Sequence, residues 1–175
     1  MRQKRPKTSR ETDWDIYAKE SPISGMGLFA GRTIPPGKRI VEYLGERINK
    51  TLGKKRVRDG NTFVFALDRQ TDIDGSGENN IARFANHSCD PNAEAVVECG
   101  KLYLKSIKRI EKDEEITYDY QCAYSETADP CTCTSKNCIG VIVHQKYRYR
   151  IRGGREGYTP RPWNGIDEGM KSHKG

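Results

Sequence analysis

Between Trp14 and Ile110, apolar positions come in short runs broken by turn residues, a pattern of strands rather than long helices. Residues 38–44 alternate loosely and include β-branched Ile40 and Val41, predicting a strand. Phe63, Phe65 and Leu67 alternate with Thr62, Val64 and Ala66, predicting another. Residues 94–98 and 102–107 flank Cys99-Gly100-Lys101, the pattern of a hairpin. Residues 115–120 form the last predicted strand. Ser24-Gly25-Met26-Gly27, ahead of Leu28-Phe29-Ala30, and Pro35-Pro36-Gly37 read as turns. Residues 47–58 are polar and basic and read as a short exposed helix. No helical period of three or more turns runs before residue 140, and there is no internal repeat. From Gln145 onward, with Gly153-Gly154 and two prolines, no period emerges. A linker, disorder, or a strap folded onto the body all fit that tail.

The 175 residues favour a single domain with a real core. Only 34% of residues are hydrophobic, and 17 glycines and 8 prolines suit a loop-rich soluble protein. No run of about 18 apolar residues is present, so no membrane helix is expected. The first twenty residues lack the apolar run of a secretory signal, and an intracellular, thiol-reducing setting is the expectation. The formal charge is +7, and it belongs to the ends. Residues 1–10 hold five basic side chains and no acid, and residues 145–175 hold eight basic and three acidic. The body between is mildly acidic, with 18 basic and 21 acidic residues over 11–144, which suits a basic peptide better than a nucleic acid. The ends could hold phosphate backbones by charge alone, or simply be solvated tails.

Six cysteines stand at 89, 99, 122, 131, 133 and 138, three of them in the run Cys131-Thr-Cys133-Thr-Ser-Lys-Asn-Cys138. Three thiolates this close are good zinc ligands, and a tetrahedral structural site needs a fourth from elsewhere. A disulfide framework is the rival, and the absence of a secretory signal turns the reading towards zinc. Cys99, beside a hairpin turn, and Cys122, just past a strand, read as ordinary small residues.

Four segments, in order, now point to one family: Gly25-Met26-Gly27-Leu28-Phe29, Glu42-Tyr43-Leu44-Gly45-Glu46, Ala82-Arg83-Phe84-Ala85-Asn86-His87-Ser88-Cys89-Asp90-Pro91-Asn92 and Asp113-Glu114-Glu115-Ile116-Thr117-Tyr118-Asp119-Tyr120. Together they resemble the SET-domain protein lysine methyltransferases, and the cysteine run resembles the family's post-SET zinc motif. The likeness covers about residues 14–142. It implies a mainly β, β-clip-like fold of short sheets with a knot-like core and a C-terminal zinc segment. The implied division is a basic arm (1–13), the SET domain (14–121), the post-SET zinc segment (122–142) and a basic tail (143–175).

The resemblance also implies roles. Ser24, Gly25, Met26 and Gly27 become a wall for S-adenosylmethionine, with glycines letting the backbone approach the ligand. Asn86 and His87 become contacts to the same cofactor, chiefly through main-chain groups. Arg83, just upstream, is grouped with them, although its place also suits a structural role. Tyr120 matches the catalytic tyrosine, Tyr43 a channel tyrosine, and Tyr118 a switch position where Tyr favours mono- or dimethylation. Cys89 becomes the fourth zinc ligand beside Cys131, Cys133 and Cys138, in a site whose four sulfurs leave no open position for catalysis. Phe63 stands where many members carry Tyr, which bears on cofactor affinity, and Glu78-Asn79-Asn80 replaces a usual Gly-Asn.

The implied activity is transfer of a methyl group to a lysine of a histone or histone-like basic protein. The basic ends are candidates for DNA contact, and no membrane partner is expected. The implied place is the nucleus or chromatin in a eukaryote, and the cytoplasm, nucleoid or a host cell for a bacterial source. The rivals are a non-catalytic SET-fold module that grips chromatin or nucleic acid, and an enzyme for a non-histone protein.

Overall fold

The computed structural model describes residues 14–124 and 128–151. In chain order the strands are β1 (Tyr17–Glu20), β2 (Met26–Phe29), β3 (Arg39–Glu42), β4 (Glu46–Asn49), β5 (Val64–Ala66), β6 (Thr71–Asp74), β7 (Asn86–His87), β8 (Ala93–Glu98), β9 (Lys101–Ser106) and β10 (Thr117–Tyr118). One α-helix, α1 (Lys50–Arg58), and two short 3₁₀ turns, Ile81–Phe84 and Gln145–Arg150, complete the described elements. The mainly β reading of the sequence is what the chain adopts.

The strands form four small sheets. β1 and β2 pair antiparallel across a turn in which Gly25 takes φ +45°. β3, β9 and β8 make one antiparallel sheet in that order, and β4, β6 and β5 make another. The β8–β9 hairpin turns at Cys99 (φ +51°) and Gly100 (φ +71°), as the sequence predicts. Both central residues lie in the left-handed region that matches the twist of antiparallel strands. β7 and β10 pair in parallel, with Thr117 opposite Asn86 and Tyr118 opposite His87. This short pair joins two distant sequence motifs, and much of the candidate chemistry sits on it.

Two apolar clusters hold the molecule. The larger is built on Leu28, Ile34, Leu102, Leu104, Ile110 and Ile116, all essentially removed from water. Burying side chains of this size contributes roughly 1.5–3 kcal/mol each before entropy is counted. The smaller gathers Cys89, Cys133, Cys138, Ile139 and Val143. Val143 is wholly buried there, so the segment read as a basic tail begins inside the second cluster. No helix among the described residues is long and apolar enough to cross a membrane.

The polar stretch 47–58 divides differently from the sequence reading. Residues 46–49 are strand, and the helix starts at Lys50. The reason is local: the Asn49 side chain accepts from the Leu52 N–H at 2.9 Å, an N-cap bond. β6, Thr-Asp-Ile-Asp, carries one apolar residue in four and is not among the strands expected from the sequence. Its aspartates are buried against α1. Lys50 Nζ reaches Asp72 Oδ1 at 2.5 Å, and Arg56 reaches Asp74 Oδ2 at 2.5 Å.

Burial alone would raise the Asp74 pKa. The Ser76 N–H, the Arg56 guanidinium and the Asn61 amide outweigh it and hold the carboxyl at about 2. A carboxyl depressed below its unfolded value of 3.8 stabilises the fold above that value. That contribution fades as the pH falls towards about 2. Asp74→Asn is therefore expected to cost no more than about 2 kcal/mol at neutral pH and to flatten the acid limb of the stability profile, read by urea unfolding from pH 7 to 2. An unchanged acid limb would remove Asp74 from the acid sensitivity of the fold.

Candidate functional site

The β1–β2 turn is held from behind. The Asn86 side-chain amide lies 3.1 Å from the Ser24 carbonyl, 3.2 Å from the Met26 carbonyl and 2.8 Å from Glu115 Oε1. Glu115 also accepts from the Ser21 hydroxyl at 2.8 Å, and that hydroxyl in turn accepts from the Ile23 N–H at 2.9 Å. Gly27 is required by this packing, since a Cβ there would stand 2.5 Å from Glu115 Oε1. Ser24, Gly25, Met26, Gly27 and Asn86 are thus brought together, and the first three face solvent. Glu115 is the hub of the network, and sequence reasoning missed it as a site residue. It lay in a run of four acids and lysine with nothing to single it out.

β10 is fixed to the 86–92 segment by side chains as well as by pairing. Asn92 is buried, accepts from the Thr117 N–H at 2.9 Å and donates to the Glu115 carbonyl at 2.8 Å. His87, 3% exposed, accepts the Tyr120 N–H on Nδ1 at 3.2 Å. A backbone N–H only donates, so the imidazole proton belongs on Nε2. That nitrogen faces Cys89 Sγ at 3.6 Å.

An aromatic row runs from this point. The Tyr118 and Tyr120 ring centres are 5.0 Å apart. Phe65 stands 6.2 Å from Tyr118 and 6.0 Å from Tyr43. Sequence reasoning took Phe65 only as a strand aromatic, whereas it links the tyrosines. Tyr43 OH donates to the Phe63 carbonyl at 3.0 Å, and Tyr120 OH to the Ala85 carbonyl at 3.3 Å. Gly75 leaves room for the Tyr43 ring, because a Cβ there would be 2.2 Å from it. Burial pushes the Tyr120 phenol up to about 12 and raises Tyr43 and Tyr118 as well. All three therefore stay protonated at neutral pH. As neutral phenols they are poor proton acceptors, and Tyr43 and Tyr120 donate to main-chain carbonyls.

Arg83 stands apart from the Asn86 network. Nη1 donates to the Ser76 carbonyl at 2.5 Å, and the guanidinium lies 4.9 Å from the Phe84 ring and 5.9 Å from that of Phe63. Its Nε is buried with no partner among the described residues.

The four cysteines singled out for metal do converge. The Sγ atoms of Cys89, Cys131, Cys133 and Cys138 lie within 4.8 Å of one another. A tetrahedron of zinc–sulfur bonds of ~2.3 Å has edges of about 3.8 Å, and Cys89 Sγ stands 3.8 Å from Cys131 Sγ. The Cys89 and Gly140 N–H groups donate to the sulfurs of Cys133 and Cys138, both at 3.4 Å. Four soft, mostly buried donors with N–H support fit a structural zinc ion. Cys99 and Cys122 are exposed and outside the cluster. The cluster also touches the turn at 21–25, for Thr132 Oγ1 donates to the Ile23 carbonyl at 2.8 Å.

Comparison with known proteins places this arrangement. A family model described as the SET domain matches residues 25–121. The human protein named histone-lysine N-methyltransferase SETD1B is 37% identical over 133 residues, 70% of this chain and 7% of that protein. The Drosophila virilis protein named histone-lysine N-methyltransferase trithorax is 34% identical over 142 residues, 75% of this chain and 4% of that one. An Aspergillus oryzae protein named histone-lysine N-methyltransferase, H3 lysine-4 specific, is 34% identical over 135 residues, 70% of this chain and 11% of that protein. The chain thus spans about a tenth or less of the length of these relatives. Among solved structures, the methyltransferase domain of human SETMAR matches with a TM-score of 0.66 at 24% identity, over 78% of this chain and 61% of that one. That likeness concerns the fold.

Proposed function

The chain belongs to the SET domain family, and from that premise we propose that it is an S-adenosylmethionine-dependent protein-lysine N-methyltransferase. The observation that supports this reading is the β7–β10 pairing, which sets Tyr118 opposite His87, next to the Asn86 that braces the turn at residues 24–27. The substrate is a histone or histone-like basic protein, consistent with the acidic body of the chain and with the names of its relatives. The place of action follows the substrate: chromatin in a nucleated cell, the cytoplasm, nucleoid or a host in a bacterial one.

S-adenosylmethionine, when bound, supplies an electrophilic methyl group on a sulfonium. Main-chain groups of Ser24, Gly25, Met26, Gly27, Asn86 and His87 hold it, with Arg83 and Tyr120 at the edge of that site. The row of Tyr43, Phe65, Tyr118 and Tyr120 rings would line the path of the incoming lysine and strip bulk water from it. Burial there lowers the pKa of the amine and favours the neutral nucleophile. The Tyr120 and Tyr43 hydroxyls orient the nitrogen, and most of the rate comes from alignment. Cys89, Cys131, Cys133 and Cys138 hold a structural zinc ion that fixes the C-terminal lobe against the turn at 21–25 and leaves no coordination position for chemistry.

Tyr118 OH has no hydrogen-bond partner among the described residues, which suits a water held in the passage that limits the number of methyl groups accommodated. Tyr118→Phe is expected to shift the dominant product by one methyl group or more, read by mass spectrometry of a methylated peptide. An unchanged product pattern at comparable turnover would end that assignment. For the function itself, the zinc-loaded chain is incubated with labelled S-adenosylmethionine and core histones. Label in histone that depends on Tyr120 supports the enzyme. Tight, salt-sensitive DNA binding with no transfer to any protein would support instead a SET-fold module that grips nucleic acid through its basic ends. Of those ends, residues 1–13 and 152–175 lie outside the described residues.

A further inference from the structure

The stretch after residue 144 carries no motif, yet its Arg148 is only 5% exposed. It projects from the 3₁₀ turn Gln145–Arg150, whose start is tied down by the His144 N–H donating to the Cys122 carbonyl at 2.9 Å. One end of the guanidinium, Nη1, donates to the Cys89 carbonyl at 2.7 Å. The other, Nη2, reaches Asp119 Oδ2 at 3.1 Å. Cys89 belongs to the thiol cluster, and Asp119 stands between Tyr118 and Tyr120. The Asp119 carboxylate further accepts the Gln121 N–H at 2.8 Å and the Gln145 N–H at 3.3 Å. Gln121 has φ +56°, a conformation that non-glycine residues take only when something holds them. The residue that follows Tyr120 is therefore held in shape by the carboxylate that Arg148 binds.

We propose that Arg148 is a positioning residue for the methyl transfer, a brace through which occupancy of the four-thiol cluster sets the backbone at Tyr120. The proposal rests on the methyltransferase reading of the tyrosines. Its physics is that of a planar fork. Arginine can engage two acceptors in different directions at once, whereas lysine is a point charge that satisfies one. A divalent ion on four thiolates carries two net negative charges, and a buried guanidinium beside Cys89 offsets part of that charge. Without Arg148, the half-buried Asp119 carboxylate would lose its guanidinium partner.

The test uses the full zinc-loaded chain. The variants are Arg148→Met, Arg148→Lys, Asp119→Asn and the Arg148→Met/Asp119→Asn double. The readouts are the rate of zinc transfer to a chromogenic chelator, and kcat and KM for a histone peptide. Arg148→Met is expected to release zinc roughly tenfold faster and to lower kcat roughly tenfold, with KM within about twofold. Arg148→Lys, making one bond of the two, recovers only part of either effect. The double variant is no worse than the Arg148→Met single, because the two residues act through each other. Wild-type zinc release and kcat in Arg148→Met would overturn the proposal, as would a lowered melting temperature with both quantities unchanged.

A measurement on the unmutated chain keeps the question open to decision even where a variant does not fold. Hydrogen exchange with and without chelator should show the Gln121 and Gln145 amides losing protection together when zinc is removed. Gln145 losing protection while Gln121 keeps it would overturn the brace. If the wild-type chain transfers no methyl group while the two amides still respond together to zinc, the brace stands and the enzymatic reading fails.

Discussion

Tyr120→Phe is expected to lower kcat for a histone peptide by roughly 10²–10³ while leaving the fold almost unchanged. The ring remains, with its edge contact to His87 at 5.4 Å and its packing on Tyr118 at 5.0 Å. What is lost is one hydroxyl, whose bond to the Ala85 carbonyl is long at 3.3 Å. Deleting it should cost about 1 kcal/mol of stability or less. The pH dependence separates two roles for that hydroxyl. With its pKa pushed up to about 12 by burial, Tyr120 cannot supply a phenolate at neutral pH, so a role as general base is not expected. The rate should rise with pH as the substrate amine loses its proton, and Tyr120→Phe should keep that slope while lowering the whole curve. Activity within threefold of wild type would remove Tyr120 from the site. A slope that disappears in the variant would make it a base after all.

Removing zinc is expected to weaken S-adenosylmethionine binding by on the order of 10²-fold or more, because metal binding and local folding are one process in such lobes. The two apolar clusters give this prediction its shape. The lobe cluster depends on Cys89, Cys133 and Cys138, whereas the larger cluster is composed of strand and loop residues without thiols. A chelator should therefore disorder residues 129–151 and leave the β3-β9-β8 sheet protected from exchange. Through Thr132 and Ile23 the lobe presses on the turn at 21–25, so its loss frees the wall next to that turn. Calorimetric titration of S-adenosylmethionine onto chelated and re-metallated chain reads the effect. Equal affinity in both forms would show that the lobe does not support the cofactor wall.

Much of the fold was legible because local chemistry and global pairing agree. Cys99-Gly100 reads as a hairpin turn because Gly100, which takes positive φ at little cost, falls between two strand-like runs. The Asn86-to-Asn92 string is informative because each polar member is spoken for, Asn86 by the β1–β2 turn and Asn92 by β10. β6 was not legible, because what buries its two acids is Lys50 and Arg56, some twenty residues upstream. Tertiary ion pairing there overrides the alternation rule. Arg148 was hidden for a related reason. In Tyr147-Arg148-Tyr149-Arg150 nothing in the sequence says which arginine turns inward, and the acceptors that select it, at Cys89 and Asp119, are far away along the chain. Phe65 likewise looked like any strand aromatic until β5 was placed between Tyr43 and Tyr118.

The most direct test of the whole account is methyl transfer by the zinc-loaded chain from labelled S-adenosylmethionine to core histones, compared side by side with Tyr120→Phe. The account predicts label on histone lysine from the wild-type chain and roughly 10²-fold less or lower still from the variant. A properly folded, zinc-loaded chain that neither takes up the donor nor labels any basic protein would contradict it.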